Sequence, residues 1–121
     1  MSIKILRILP KGDEDGERIT FAVVEDCNLG DYVLADDTFN NAVPTNLLRN
    51  VYFFPELDVK KGERVSLRTS KGVYRAYQKS PTTPVWHQLY WGLAKPVWND
   101  SGDSAHLLYA PRKNRTHFQA P

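Results

Sequence analysis

The feature that most constrains this chain is the rhythm of its apolar residues. They come in short runs, each about a strand long, and glycine-, proline- and asparagine-rich segments keep interrupting them. Residues 18–25 set Ile19, Phe21 and Val23 at alternate positions, the period of an extended chain with one buried face. Ala22 and Val24 are apolar too, so both faces of this strand are candidates for cover. The opening segment carries Ile3, Ile5 and Ile8, a less regular phase. Between the two lies Lys11-Gly12-Asp13-Glu14-Asp15-Gly16-Glu17, a polar turn that predicts a hairpin. Apolar residues never recur at helical spacing for more than a turn or two.

The same reading continues along the chain. In residues 29–36, Tyr32 and Leu34 share a face, and residues 37–50, rich in Asn and Thr, predict a loop with one helical turn at 46–49. Residues 51–54 form an aromatic strand that Pro55 stops, since proline cannot donate to a ladder. After a turn at 60–63, residues 64–69 place Val65 and Leu67 inward and Arg64, Ser66 and Arg68 outward. Strands are predicted at 73–78, 86–91 and 105–109, with a short element at 97–98, a loop at 80–84 and turns at 70–72 and 99–103. Many short strands at this spacing predict an all-β protein, an antiparallel sandwich or barrel. One domain is expected over residues 1–111, followed by a basic, flexible tail over 112–121.

Composition narrows the function classes. A chain of 121 residues with 41% apolar and 25% charged residues is long enough for one core and too apolar for a disordered segment. It has no run near the roughly 18 apolar residues that cross a bilayer, so no membrane partner is expected. The N-terminus mixes Lys4 and Arg7 with its aliphatics, which is unlike a signal-peptide core and leads to a cytoplasmic expectation. The single cysteine, Cys27, excludes an internal disulfide framework and a zinc site built on several thiolates. The formal net charge of +2 does not by itself mark a nucleic-acid binder.

Four segments carry a family resemblance. Leu29-Gly30-Asp31-Tyr32-Val33-Leu34-Ala35-Asp36, Val51-Tyr52-Phe53-Phe54-Pro55, and Leu57 followed by Lys61-Gly62-Glu63-Arg64-Val65 occur in that order. The closing segment, Trp98-Asn99-Asp100-Ser101-Gly102-Asp103-Ser104-Ala105-His106-Leu107, is the most specific. Together they resemble the lamin tail domain family in its bacterial form, over roughly residues 18–110. Tyr32 stands where that family usually has tryptophan. The resemblance implies an immunoglobulin-like antiparallel β-sandwich. In animal lamins this fold is a binding platform for chromatin and partner proteins, and the family motifs are structural rather than catalytic. The expected core is Phe21, Val23, Leu34, Phe54, Val65, Leu67, Trp91, Trp98 and Leu107.

Asp36, Asp37, Asp100 and Asp103 offer oxygen ligands but no complete calcium loop, and no metal or other cofactor is expected. Cys27 with one of His87, His106 or His117 is a candidate nucleophile–base pair, but no family signature surrounds the cysteine. The chain is therefore expected not to be an enzyme. Trp86 and Tyr90 share a strand face and suit a protein-binding surface, for a partner or a second copy. The alternative is nucleic acid held by Arg64, Arg68 and Arg75 together with Arg112, Lys113 and Arg115 of the tail.

Overall fold

The computed structural model describes residues 1–9, 16–40, 43–44, 50–98 and 103–116. The hairpin turn at 11–15, the helical turn at 46–49, the turn at 99–102 and residues 117–121 lie outside them. The protein is all-β. Its strands are β1 (Ile3–Leu9), β2 (Arg18–Val23), β3 (Cys27–Asn28), β4 (Tyr32–Asn40), β5 (Val43–Pro44), β6 (Val51–Phe53), β7 (Asp58–Val59), β8 (Arg64–Arg68), β9 (Arg75–Tyr77), β10 (Trp86–Tyr90) and β11 (Asp103–Tyr109). One five-stranded sheet has the order β1-β2-β8-β10-β9. A second is built on β4, which pairs with β11, β5 and β6, and β3 with β7 form a small third ladder.

The two large sheets bury a common core. Ile19, Phe21 and Val23 from β2, Val65 and Leu67 from β8, and Leu89 from β10 meet Tyr32 and Leu34 from β4, Phe54 and Trp98. Trp98 is 1% exposed and Phe54 meets Phe21 edge to face at 5.6 Å. Of the core expected from the sequence, Trp91 and Leu107 are only half-buried. Trp91 lies just past the end of β10, packed on Tyr52 and Trp98 with ring centroids 5.5 and 5.9 Å away.

Four local features differ from the sequence expectations, each for a physical reason. The irregular phase of Ile3, Ile5 and Ile8 is a β-bulge. The register of β1 on β2 slips between Ile5 and Arg7, so Ile3 and Ile5 face the core, Ile8 rejoins them opposite Ile19, and Arg7 turns outward opposite Thr20. β4 runs to Asn40 rather than ending near Asp36, because β11 pairs with it out to Thr38 and β5 continues the ladder at Phe39. Residues 97–98 form no strand. Their backbone N–H groups donate instead to the buried Glu17 carboxylate. The β8–β10 pairing is parallel, whereas every other strand pairing among the described residues is antiparallel. β9 fills the connection and then pairs on the far side of β10.

Residues read as the start of a loose tail are held to the body. Arg112–Asn114 form a 3-10 turn, and the Arg112 N–H and guanidinium donate to Asp31 at 3.0 Å while the guanidinium also pairs with Glu56. Among the described residues no helix is long and apolar enough to cross a membrane.

Candidate functional site

Strand parity and register build a two-dimensional grid on the outer face of the five-stranded sheet. Residues that alternate along β8 and β10 point to this face, and in-register neighbours extend each row across the strands. One row joins Tyr77, Trp86, Arg64 and Ala22. The next joins Arg75, Gln88, Ser66, Thr20 and Arg7. A third joins Tyr90, Arg68, Arg18 and Leu9. Aromatic rings stand at one end of the grid, two arginines directly opposite each other at the other, and polar side chains between.

A cleft of about 530 Å³ opens over this grid. Leu6, Arg7, Arg18, Arg68, Tyr77, Lys79, Pro84 and Trp86 line it, with Thr20, Ser66 and Gln88 at its base. Four of its described lining residues are cationic and none is acidic. The base is unusually polar for a buried surface: Ser66 is 3% exposed and Gln88 4%. The sequence placed Ser66 outward, and its side chain does leave the core, but its neighbours on β2 and β10 cover it. Gln88 is anchored by donating from Nε2 to the carbonyls of Ser66 and Leu89, at 3.1 and 2.9 Å. Thr20 donates to the Arg7 carbonyl at 3.4 Å. The Ser66 hydroxyl is buried with no hydrogen-bond partner among the described residues. Such a group costs free energy unless something satisfies it.

The candidates named from sequence separate into two groups. Trp86 and Arg68 line the cleft. Tyr90 shares their face but is packed beneath Gly72, so close that a Cβ on Gly72 would stand 2.4 Å from its ring. Arg64 lies beside Trp86 and folds back on its own turn, donating to the Gly62 and Glu63 carbonyls at 3.4 and 3.3 Å. Arg75 sits over the Tyr77 ring, 5.4 Å from its centre. Arg112, Lys113 and Arg115 are not brought to this face. Arg112 is engaged by Asp31 and Glu56, Lys113 borders a shallow depression with Asp31 and Tyr109, and Arg115 donates to the Ala110 carbonyl and covers Phe53 of the second sheet at 5.5 Å.

Sequence reasoning missed Arg7, Arg18, Lys79, Tyr77 and the polar base. Arg18 was legible, since it is in phase with Thr20 and Ala22. Arg7 was not, because the bulge reverses its face.

The nucleophile, base and metal candidates are placed as follows. The Cys27 thiol, in β3, is pushed above its ordinary value by burial first and then by Asp31, Asp26, Asp58 and Glu25. His87 is held between Tyr74 Oη and Glu63 Oε1, both 2.9 Å away, while His106 meets Ser104 and His117 lies outside the described residues. Asp36 is buried and accepts from the Asn50 backbone and side-chain N–H groups. Asp100 and the side chains of Asp37 and Asp103 lie outside the described positions, and no metal-binding cluster occurs among the described residues.

Comparison with known proteins finds no family model, no curated protein and no solved structure that matches this chain.

Proposed function

We propose that this chain is a non-catalytic interaction module, an immunoglobulin-like sandwich of the lamin tail type, that docks a partner protein on the outer face of its five-stranded sheet. The observation that carries the reading is the cleft, which combines a half-buried tryptophan, a second aromatic and four cations over a polar base. Exposed aromatics and arginines are the residues that concentrate binding free energy at protein interfaces. The family reading is supported by the structural roles of its motif positions. Phe54 and Trp98 are core residues, Tyr32 fills the core where the family has tryptophan, and Gly62 has a φ of 93° in the turn before β8. Fold-level likeness alone names no partner.

A photo-crosslinking side chain introduced at position 86 tests the docking surface, with one at position 53 on the opposite sheet as control. Adducts with protein are expected from position 86 and not from position 53, and their loss in Lys79→Glu is expected. Adducts from 53 alone would overturn the reading.

Nucleic-acid binding is the second reading, and the cations of the cleft favour it. Two of the three tail cations assigned to it, Arg112 and Arg115, are engaged within the chain. Titration with duplex and single-stranded DNA at two ionic strengths separates the readings, because phosphate contacts weaken steeply with salt.

A further inference from the structure

We infer that the segment docked in this cleft is an acidic, proline-containing peptide in the polyproline II form, its proline against Trp86 and Tyr77 and its carboxylates on Arg7 and Arg18. That assignment rests on the docking reading above and names the chemistry of the partner.

The charge of the partner follows from the cations on the wall of the cleft. Arg7 and Lys79 are exposed there, and neither has an acidic partner among the described residues. Arg18 donates through Nη1 to the Gly16 carbonyl at 3.1 Å, a neutral acceptor that leaves its charge uncompensated and further N–H groups to offer. No described lining residue is acidic. A cleft lined by one sign of charge concentrates the opposite sign.

The backbone form follows from strand order. β8 and β10 lie inside the order β1-β2-β8-β10-β9, so their N–H and C=O groups are spent on neighbouring strands and this face offers side chains only. A peptide lying here gains no ladder bonds. Polyproline II keeps its backbone solvated without them, and each proline brings one N–H fewer to leave unpaired. Trp86 and Tyr77 are cross-strand neighbours on this face, with Pro84 on the same wall. Grooves lined by aromatic rings suit segments of this form.

The grid sets the spacing. Arg18 lies two strands across and four residues along from Trp86, and Arg7 three strands across and two residues along. At roughly 4.8 Å per strand and 3.3 Å per residue, each stands about 16 Å from Trp86 and about 8 Å from the other. At about 3.1 Å per residue, 16 Å is roughly five residues of polyproline II. A straight segment leaving Trp86 passes between the two arginines. Adjacent acidic side chains diverge by roughly 120° at three residues per turn, so a pair placed there reaches one arginine each. Single-stranded nucleic acid fits this face less well, since it needs cations tracking its backbone past the stacked bases. The arginines nearest the aromatic pair are held elsewhere, Arg64 by the Gly62 and Glu63 carbonyls and Arg75 over the Tyr77 ring.

The test uses a fluorescein-labelled peptide with two prolines at each end, two adjacent glutamates at its centre and serines between, so that either chain direction satisfies the spacing. A twin with glutamine for glutamate, a twin with alanine for proline and a short oligothymidylate are the other probes. The acidic peptide is expected to bind at least about three-fold more tightly than the glutamine twin at low ionic strength, and added salt to erase the difference. Arg7→Gln with Arg18→Gln is expected to remove that preference. The alanine twin and Trp86→Ala are each expected to weaken binding at least about three-fold, the fold of every variant being checked by circular dichroism. Equal binding of the glutamate and glutamine peptides, both weakened by Trp86→Ala, would overturn the acidic ligand and leave the docking reading standing. A glutamate preference that survives unchanged in the alanine twin would overturn the polyproline form. Oligothymidylate binding that the double arginine variant abolishes, with all peptides silent, would overturn the inference and the docking reading together. Silence of every probe would overturn the inference, while the crosslinks from position 86 would still decide docking.

Discussion

The Glu17 carboxylate accepts the backbone N–H of Trp98 at 3.0 Å, across 81 positions of sequence. Its other oxygen accepts the Val97 N–H at 2.6 Å, and Glu17 itself is fully buried. The first residue before β2 thus fixes the irregular segment that delivers Trp98 to the core. Glu17→Gln sets an amide NH₂ against one of the two donors and is expected to cost about 1–3 kcal/mol. Glu17→Ala leaves both N–H groups buried and unpaired and is expected to cost roughly 3–5 kcal/mol. Urea unfolding monitored by tryptophan fluorescence measures both. A cost below that of an exposed-site control would contradict the role.

Trp98 is the largest fully buried side chain. Trp98→Ala is expected to destabilise by about 3–5 kcal/mol, much of what a small domain has. Equilibrium unfolding should show either a strongly lowered midpoint or no cooperative transition.

Gly72→Ala tests the packing that withholds Tyr90 from the cleft. The added Cβ would fall 2.4 Å from two atoms of the Tyr90 ring, so the ring or the backbone must move. The expected cost is about 1–3 kcal/mol. In a Tyr90→Ala background that cost should largely vanish, a coupling that a double-mutant cycle reads directly.

Acid should weaken the fold through Glu63 and Asp31. Burial alone raises the Glu63 carboxyl, but the His87 and Lys60 hydrogen bonds and the charges of both residues together bring it below its ordinary 4.5. The Arg112 backbone N–H, then its side chain, hold Asp31 below 3.8. A carboxyl lowered in the folded state stabilises fully above its unfolded value and loses that contribution as pH falls through the folded value. Thermal midpoints should therefore decline as pH falls below about 4.5, with a smaller decline in Glu63→Gln and in Asp31→Asn. A decline unchanged in both variants would assign the acid sensitivity elsewhere.

The raised Cys27 thiol predicts slow alkylation. At pH 8 iodoacetamide should modify it more slowly than an unhindered thiol, because less of it is thiolate. Asp31→Asn should speed the reaction, since Asp31 raises the thiol more than Asp26, Asp58 or Glu25 does.

Local patterns carried the strands, and long-range contacts carried what the patterns missed. The alternation of Ile19, Phe21 and Val23, or of Val65 and Leu67, is written in neighbouring residues, and those side chains are core. The burial of Ser66 depends on Thr20 and Gln88, which reach it from strands distant in sequence. Trp91 reads as a strand residue by type, yet β10 stops one position before it. Arg112 reads as a free cation in the sequence, because nothing near it announces Asp31 or Glu56. Arg68 and Trp86 were legible as site residues. Their assembly with Arg7 and Arg18 required a bulge and a sheet order that no local pattern encodes.

The parallel β8–β10 junction divides the cleft. Arg18, Thr20, Ser66 and Arg68 belong to one side of it, and Tyr77, Trp86 and Gln88 to the other. Among the described residues β9 pairs only with β10, so residues 75–90 form a hairpin that docks onto β8 as one unit. Whatever bridges the arginines and Trp86 also clasps that hairpin to the rest of the sheet. Occupancy of the cleft and closure of this seam are then two readings of one equilibrium. Amide hydrogens along β9 and β10 should exchange more slowly in proportion to ligand, while those of β4 and β11 keep their rates.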